Sequence, residues 1–181
     1  MNFCSKCGAQ VTLRIPPEDD RPRHVCDRCG TIHYENPKMV VGCIAEKNGQ
    51  ILLCRRAIQP GYGKWTLPAG YMENNETVYE GTRREAWEEA GATIQDLTPF
   101  ALVNLSFISQ VYLMFRARLV KTNFTSGGES LEIRLFEEAH IPWDQLAFPV
   151  IRETLRLYCA DRPRGAFSFH VCDLHADGRV G

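Results

Sequence analysis

Between Gly70 and Ala92 the chain reads GYMENNETVYEGTRREAWEEAGA, and three of its glutamates, Glu85, Glu88 and Glu89, stand at i, i+3 and i+4. The pattern predicts a helix over residues 77–90, on which each step advances about 100°, so that the three carboxylates share one narrow arc of the surface. Like charges at these spacings destabilise a helix by roughly 0.2–0.5 kcal/mol per pair, which calls for positive charge among them. A hard divalent cation meets that need. Mg²⁺ takes oxygen ligands, keeps several waters and commonly completes its octahedron with the phosphate oxygens of a substrate. A solvated acidic face is the competing reading, and the further fixed positions in the run count against it.

Those positions are Gly70, Glu76, Arg84 and Gly91, and with the three glutamates they fall in register with G-x5-E-x7-R-E-U-x-E-E-x-G-U, where U is a bulky aliphatic residue. The run therefore resembles the box of the Nudix hydrolase family. Alanine stands at both U positions, Ala86 and Ala92, a departure in size that predicts close helix packing. The resemblance implies an α/β/α sandwich with the box as a loop-helix-loop at its edge. It also implies that the Gly70 carbonyl joins Glu85, Glu88 and Glu89 in holding Mg²⁺ or Mn²⁺. Glu76 and Arg84 are expected to pair with each other or to orient the neighbouring carboxylates.

Cys4-x-x-Cys7 and Cys26-x-x-Cys29 are separated by eighteen residues, and each pair is followed by a glycine, Gly8 or Gly30. This is zinc spacing. Four thiolates close the tetrahedral shell and leave no position for a substrate, so the expected role of this Zn²⁺ is structural. Redox-active Cys-x-x-Cys pairs usually sit in a βαβ context, which the Pro-rich stretch from Pro16 to Pro22 does not resemble. Cys43, Cys54, Cys159 and Cys172 are read as small hydrophobes, and His24 and His33 as bystanders of a site already complete.

The 181 residues carry a formal net charge of -1 and are 44% hydrophobic, enough for one ordinary domain and a small appendage. So little charge argues against a protein that holds nucleic acid by bulk attraction. No apolar run approaches the ~18 residues of a membrane span. Cys4 follows the first methionine too closely for a charged and apolar signal peptide. The expected setting is cytoplasmic and reducing.

Three segments are expected: a zinc ribbon at residues 1–36, a hydrolase domain at 37–162, and a tail at 163–181. In the domain, residues 39–45 and 51–54 read as strands across an Asn48-Gly49 hairpin turn, and 59–64 as a loop. After the helix, residues 101–105, 110–120 and 133–136 read as strands, with a polar turn at Ser126-Gly127-Gly128. Residues 149–160 read as a second helix started by Pro149. In the tail, residues 166–171 are a short strand candidate free to dock on either domain.

A metal clamp made of Glu85, Glu88 and Glu89 would neutralise a pyrophosphate and lower the pKa of a bound water. Glu129 and Glu132, flanking Ser130-Leu131 after a glycine-rich turn, are the candidates for a general base outside the metal cluster. Arg55 and Arg56 end the 51–54 strand on opposite faces, so one is expected to bind phosphate while the other is solvated. Trp65 and Tyr112, with Tyr62 and Phe107, are candidates to stack on a purine or flavin ring, or to anchor core and loops.

The motifs Asn36-Pro37-Lys38-Met39-Val40-Val41-Gly42, Leu52-Leu53-Cys54-Arg55-Arg56, Trp65-Thr66-Leu67-Pro68-Ala69-Gly70 and Glu129-Ser130-Leu131-Glu132, joined to the ribbon, resemble those of the ADP-ribose and FAD pyrophosphatases of plant chloroplast type and their bacterial relatives. That resemblance implies cleavage of FAD to FMN and AMP, or of ADP-ribose to AMP and ribose 5-phosphate, by a protein expected to be a homodimer. NADH pyrophosphatases share the ribbon, but their S-Q-P-W-P-F-P-x-S signature is replaced here by Ser109-Gln110-Val111-Tyr112-Leu113-Met114. A third reading makes the ribbon, with Lys6, Arg14, Arg21, Arg23 and Arg28, a nucleic-acid-binding module beside a ligand-sensing domain. A sensor has no need of the full carboxylate set.

Overall fold

The computed structural model describes residues 1–120, 124 and 128–181, and the expected turn at Ser126-Gly127 lies outside them. The chain forms two compact units, Met1–Asn36 and Pro37–Gly181. In the first, strands β1 (Val11–Arg14), β2 (Arg23–Cys26) and β3 (Ile32–His33) make a three-stranded antiparallel sheet. The two Cys-x-x-Cys knuckles end in Gly8 and Gly30, at φ 72° and 70°, a left-handed turn that glycine takes without strain.

The second unit is built on a mixed sheet. Its strands are β4 (Lys38–Lys47), β5 (Gln50–Arg56), β6 (Trp65–Thr66), β7 (Ala69–Tyr71), β8 (Ile94–Leu105), β9 (Gln110–Leu119), β10 (Ser130–Glu137) and β11 (His170–Asp173). The main order is β10-β5-β4-β9-β8-β11, with β6 against β5 and β7 against β4. Asn48 and Gly49 both have positive φ, 52° and 80°, the two-residue turn that matches the twist of a hairpin. Strand alternation then divides the apolar residues between two layers. Ile44 and Leu53 face one side with Phe100, Ile151, Leu155 and Tyr158, while Cys43 and Leu52 face the other with Ala86, Ala90 and Phe115. Helix α1 (Val78–Ala90) covers the second face and α2 (Pro149–Asp161) the first, giving the α/β/α arrangement.

Both helices begin where their end chemistry requires. Thr77 and Glu80 form a reciprocal capping box on α1, and Gly91 closes it at φ 60° with its N–H on Trp87 O at 2.7 Å. Pro149 opens α2. Ala86 and Ala92 are fully buried, consistent with small side chains that let α1 approach the sheet.

Two elements differ from expectation. Strand β8 begins seven residues before Ala101, because its first half is irregular: Gln95 and Asp96 are exposed, and the register shifts between Gln95 and Thr98 and again between Pro99 and Ala101. The tail strand starts at His170 and not at residue 166. Phe167 is instead stacked on Tyr158 with centroids 5.4 Å apart, and Ser168 N donates to Asp161. Strand β11 pairs in parallel with β8, so the tail belongs to the second unit. Among the described residues no helix is long and apolar enough to cross a membrane.

Candidate metal and substrate site

A cavity of about 940 Å³ opens between α1, β7, the end of β8 and the start of α2. Its acidic wall is Glu85, Glu88 and Glu89 of α1, beside Gly70 of β7, and Glu129 also lines it. The helix does not present the three glutamates equally. Glu85 and Glu89, four apart, lie on its buried face at 8% and 6% exposure, while Glu88 stands on the solvent shoulder.

Arg84 organises this wall. Its Nε and Nη2 donate to the two oxygens of Glu76 at 3.0 and 2.8 Å, and Nη2 also reaches Tyr71 O at 3.0 Å. Nη1 is left to donate to Glu85 at 2.7 Å and Glu88 at 2.9 Å. The fork holds the Glu76 carboxyl well down, to about 2, with the Glu73 N–H adding to the effect. The positive charge required among the glutamates is thus supplied in part by the chain itself.

Glu89 is buried and accepts from Ala69 N at 3.2 Å. Burial, reinforced by the nearby Glu85, pushes its carboxyl up to about 8. Burial likewise raises Glu85, although Arg84 opposes the shift. Gly70 completes the pocket floor: a Cβ there would collide with both Glu85 oxygens, so only glycine lets that carboxylate sit against the β7 backbone. Two desolvated carboxylates and a third at the rim bring to the cavity oxygen atoms of the kind that hard divalent cations take as ligands.

The other expected residues divide. Arg56 lines the cavity, its Nε on Pro60 O at 2.8 Å and its guanidinium 5.0 Å from the Phe148 ring centre. Arg55 points away, bonded to Gly63 O and facing Glu132 at 3.8 Å. Glu129 lines the cavity, whereas Glu132 lies on β10, shared between Arg55 and Arg134. Tyr112 and Phe107 line the cavity. Trp65 requires correction as a stacking residue: it is 5% exposed, packed edge-on against Phe136 at 4.9 Å within the core, and absent from the cavity wall. Tyr62 is exposed outside the wall.

In the ribbon the sulfurs of Cys4, Cys7, Cys26 and Cys29 all lie within 4.8 Å of one another. Separations of 3.5–3.7 Å between Cys7 and Cys26, Cys7 and Cys29, and Cys4 and Cys29 approach the ~3.8 Å edge of a tetrahedron with Zn–S bonds of about 2.3 Å. Thr31 lowers the Cys29 thiol to about 6 through its hydroxyl and backbone, which favours the ligating thiolate. His33 stands outside the four-cysteine set, and its Nε2 lies 3.3 Å from Cys4 Sγ, a contact that sequence spacing does not reveal. Phe107, Ile108, His175, Ala176 and Gly178 also share the cavity wall, which the sequence does not reveal because β11 starts at His170 and not at residue 166.

Residues 2–35 match the Nudix N-terminal zinc-ribbon family and residues 36–158 the NUDIX domain family. The chain belongs to the zinc-ribbon-containing Nudix hydrolase family. It is similar to a NUDIX hydrolase of known crystal structure from Nitrosomonas europaea, 52% identical, with a TM-score of 0.89 over 96% of this chain and 99% of that one. An ADP-ribose pyrophosphatase from Streptococcus suis 89-1591 shares the fold at 18% identity and a TM-score of 0.63, over 75% of this chain and 99% of that one. Among curated proteins, the NAD-capped RNA hydrolase NudC of Photobacterium profundum is 27% identical over 166 residues, 89% of this chain. The chain spans 60% of that relative's length.

Proposed function

We propose that this protein hydrolyses the pyrophosphate bond of a nucleoside diphosphate derivative in a divalent-metal-dependent reaction, with FAD and ADP-ribose as the leading substrates. The observation that carries the reading is the pair of buried carboxylates, Glu85 and Glu89, beside Gly70 on the floor of a large cavity. Glu85, Glu88, Glu89 and the Gly70 carbonyl would hold Mg²⁺ or Mn²⁺, which when bound would neutralise phosphate charge and make a water more acidic.

The chain's own groups do the rest. Arg84, locked by Glu76, keeps Glu85 and Glu88 in place. Glu129, outside the acidic helix but on the same cavity, accepts the proton of the attacking water. Arg56 donates from its guanidinium to a phosphate oxygen, while its Nε donates to Pro60 O. Tyr112 flanks the ring end of the substrate. The four-cysteine zinc site stabilises the ribbon and takes no part in hydrolysis.

An NADH pyrophosphatase-like activity is the second reading, favoured by the similarity to NudC. Against it, the region that would carry S-Q-P-W-P-F-P-x-S is the regular strand β9, paired with β4 and β8 from Gln110 onward. AMP release from FAD, ADP-ribose, NADH and NAD⁺, with Mg²⁺, Mn²⁺ or EDTA, tests both. Metal-dependent turnover of FAD or ADP-ribose above NADH supports the first reading, and the reverse order supports the second. No AMP from any of the four removes both.

A further inference from the structure

One cavity wall is made by two segments far apart in sequence. Strands β8 and β11 run parallel, with Asn104 opposite Asp173, so the chain leaves both at the same end of the sheet. After β8 it makes a single turn, residues 106–108, closed by Ser109 at φ 52° with its N–H on Ser106 O. After β11 it folds into a tight hairpin. Asp173 and Gly181 exchange backbone bonds at 3.1 and 2.9 Å, and His175 N donates to Arg179 O at 2.9 Å. The hairpin is pinned to β8 through Leu174 N on Asn104 O at 2.9 Å and Asn104 Nδ2 on Asp173 Oδ1 at 2.8 Å.

These anchored segments turn Phe107, Ile108 and His175 onto the cavity. Phe107 and Ile108 remain 49% and 48% exposed, two large apolar side chains held in water on a concave surface by a built backbone. The glutamates of α1 share the lining with them, so the cavity combines carboxylates for a metal with flat, weakly polar side chains.

We propose that the turn at residues 106–108 and the hairpin tip form a nucleobase clamp, in which Phe107 and the His175 imidazole bound the ring of the substrate. This rests on the reading of the cavity as a nucleotide site and deepens it, since it adds Phe107 and His175 to Tyr112 as residues that bound the base. Stacking needs a π face and no particular hydrogen-bond pattern, so the clamp accepts different bases.

The test is equilibrium binding of AMP and of ribose 5-phosphate to the full-length, zinc-loaded protein in Mn²⁺, for the wild type and for Phe107→Ala, His175→Ala and His175→Phe. Both positions are exposed, and unchanged melting of each variant checks that it folds. Loss of one stacking face is expected to weaken AMP binding about tenfold in each alanine variant. Ribose 5-phosphate affinity is expected to stay unchanged, and His175→Phe to retain AMP affinity. Unchanged AMP affinity in the alanine variants, equal losses for both ligands, or no AMP binding by the wild type would overturn the proposal. A wild type that binds AMP through these residues yet hydrolyses no pyrophosphate would remove the reaction and leave the clamp standing.

Discussion

Arg84 grips both oxygens of Glu76, at 3.0 and 2.8 Å, and this fork fixes where its third nitrogen meets Glu85 and Glu88. Lysine carries the charge without the fork. Arg84→Lys is expected to lower Mg²⁺ affinity or kcat by about 10–100-fold, the usual cost of losing an outer partner of a metal ligand. Steady-state kinetics at varied Mg²⁺ measures it, and wild-type values would show that the fork positions nothing.

Gly70→Ala drives a methyl group into both Glu85 oxygens. The carboxylate at the end of its side chain can swing aside, so the fold is expected to survive with little change in Tm. Activity is expected to fall by about 100-fold, because a displacement of ~1 Å at a reacting centre has that cost. Circular dichroism together with turnover separates the two effects.

Glu129 and Glu132 are distinguished by place: the first lines the cavity and the second is shared between Arg55 and Arg134. Glu129→Gln is expected to reduce kcat by about 10²–10⁴-fold. Glu132→Gln is expected to leave kcat within about twofold, since partly exposed ion pairs contribute little. Equal effects from the two substitutions would remove the assignment of the base.

Without metal, Glu89 titrates at about 8, far above its ordinary value of 4.5, chiefly because of burial. Between those pH values the folded state keeps a proton that the unfolded state has released, so stability falls as pH rises through the window. In zinc-loaded protein with no other divalent cation present, Tm is expected to decline from about pH 4.5 to about pH 8. Mg²⁺ binds the ionised form and is expected to reduce that decline, and Glu89→Gln to flatten it in the absence of Mg²⁺. An unchanged slope in Glu89→Gln would show that another group is responsible.

Much of this site is legible in the chain because its chemistry is local. Glu76, Arg84, Glu85, Glu88 and Glu89 sit on or beside one helix, and Thr77, Glu80 and Gly91 mark that helix's ends. The four cysteines announce their ribbon in the same way. What escapes the sequence is set by tertiary contacts. The order of strands around β4 and β9 is fixed by long-range pairing, and the irregular first half of β8 breaks the alternation that would reveal it. Trp65 reads equally well as a ring platform or as core until Phe136 is seen against it. His175 joins the site only because β11 pairs in parallel with β8, which nothing near residue 175 encodes.

Direct titration of Mn²⁺, followed by electron paramagnetic resonance in the zinc-loaded wild type and in Glu85→Gln and Glu89→Gln, addresses the acidic cavity itself. Saturable binding in the wild type, weakened at least tenfold in both variants with the zinc content unchanged, is the expected result. No saturable Mn²⁺ binding, or equal affinity in all three proteins, would contradict the reading of Glu85 and Glu89 as ligands of a catalytic cation.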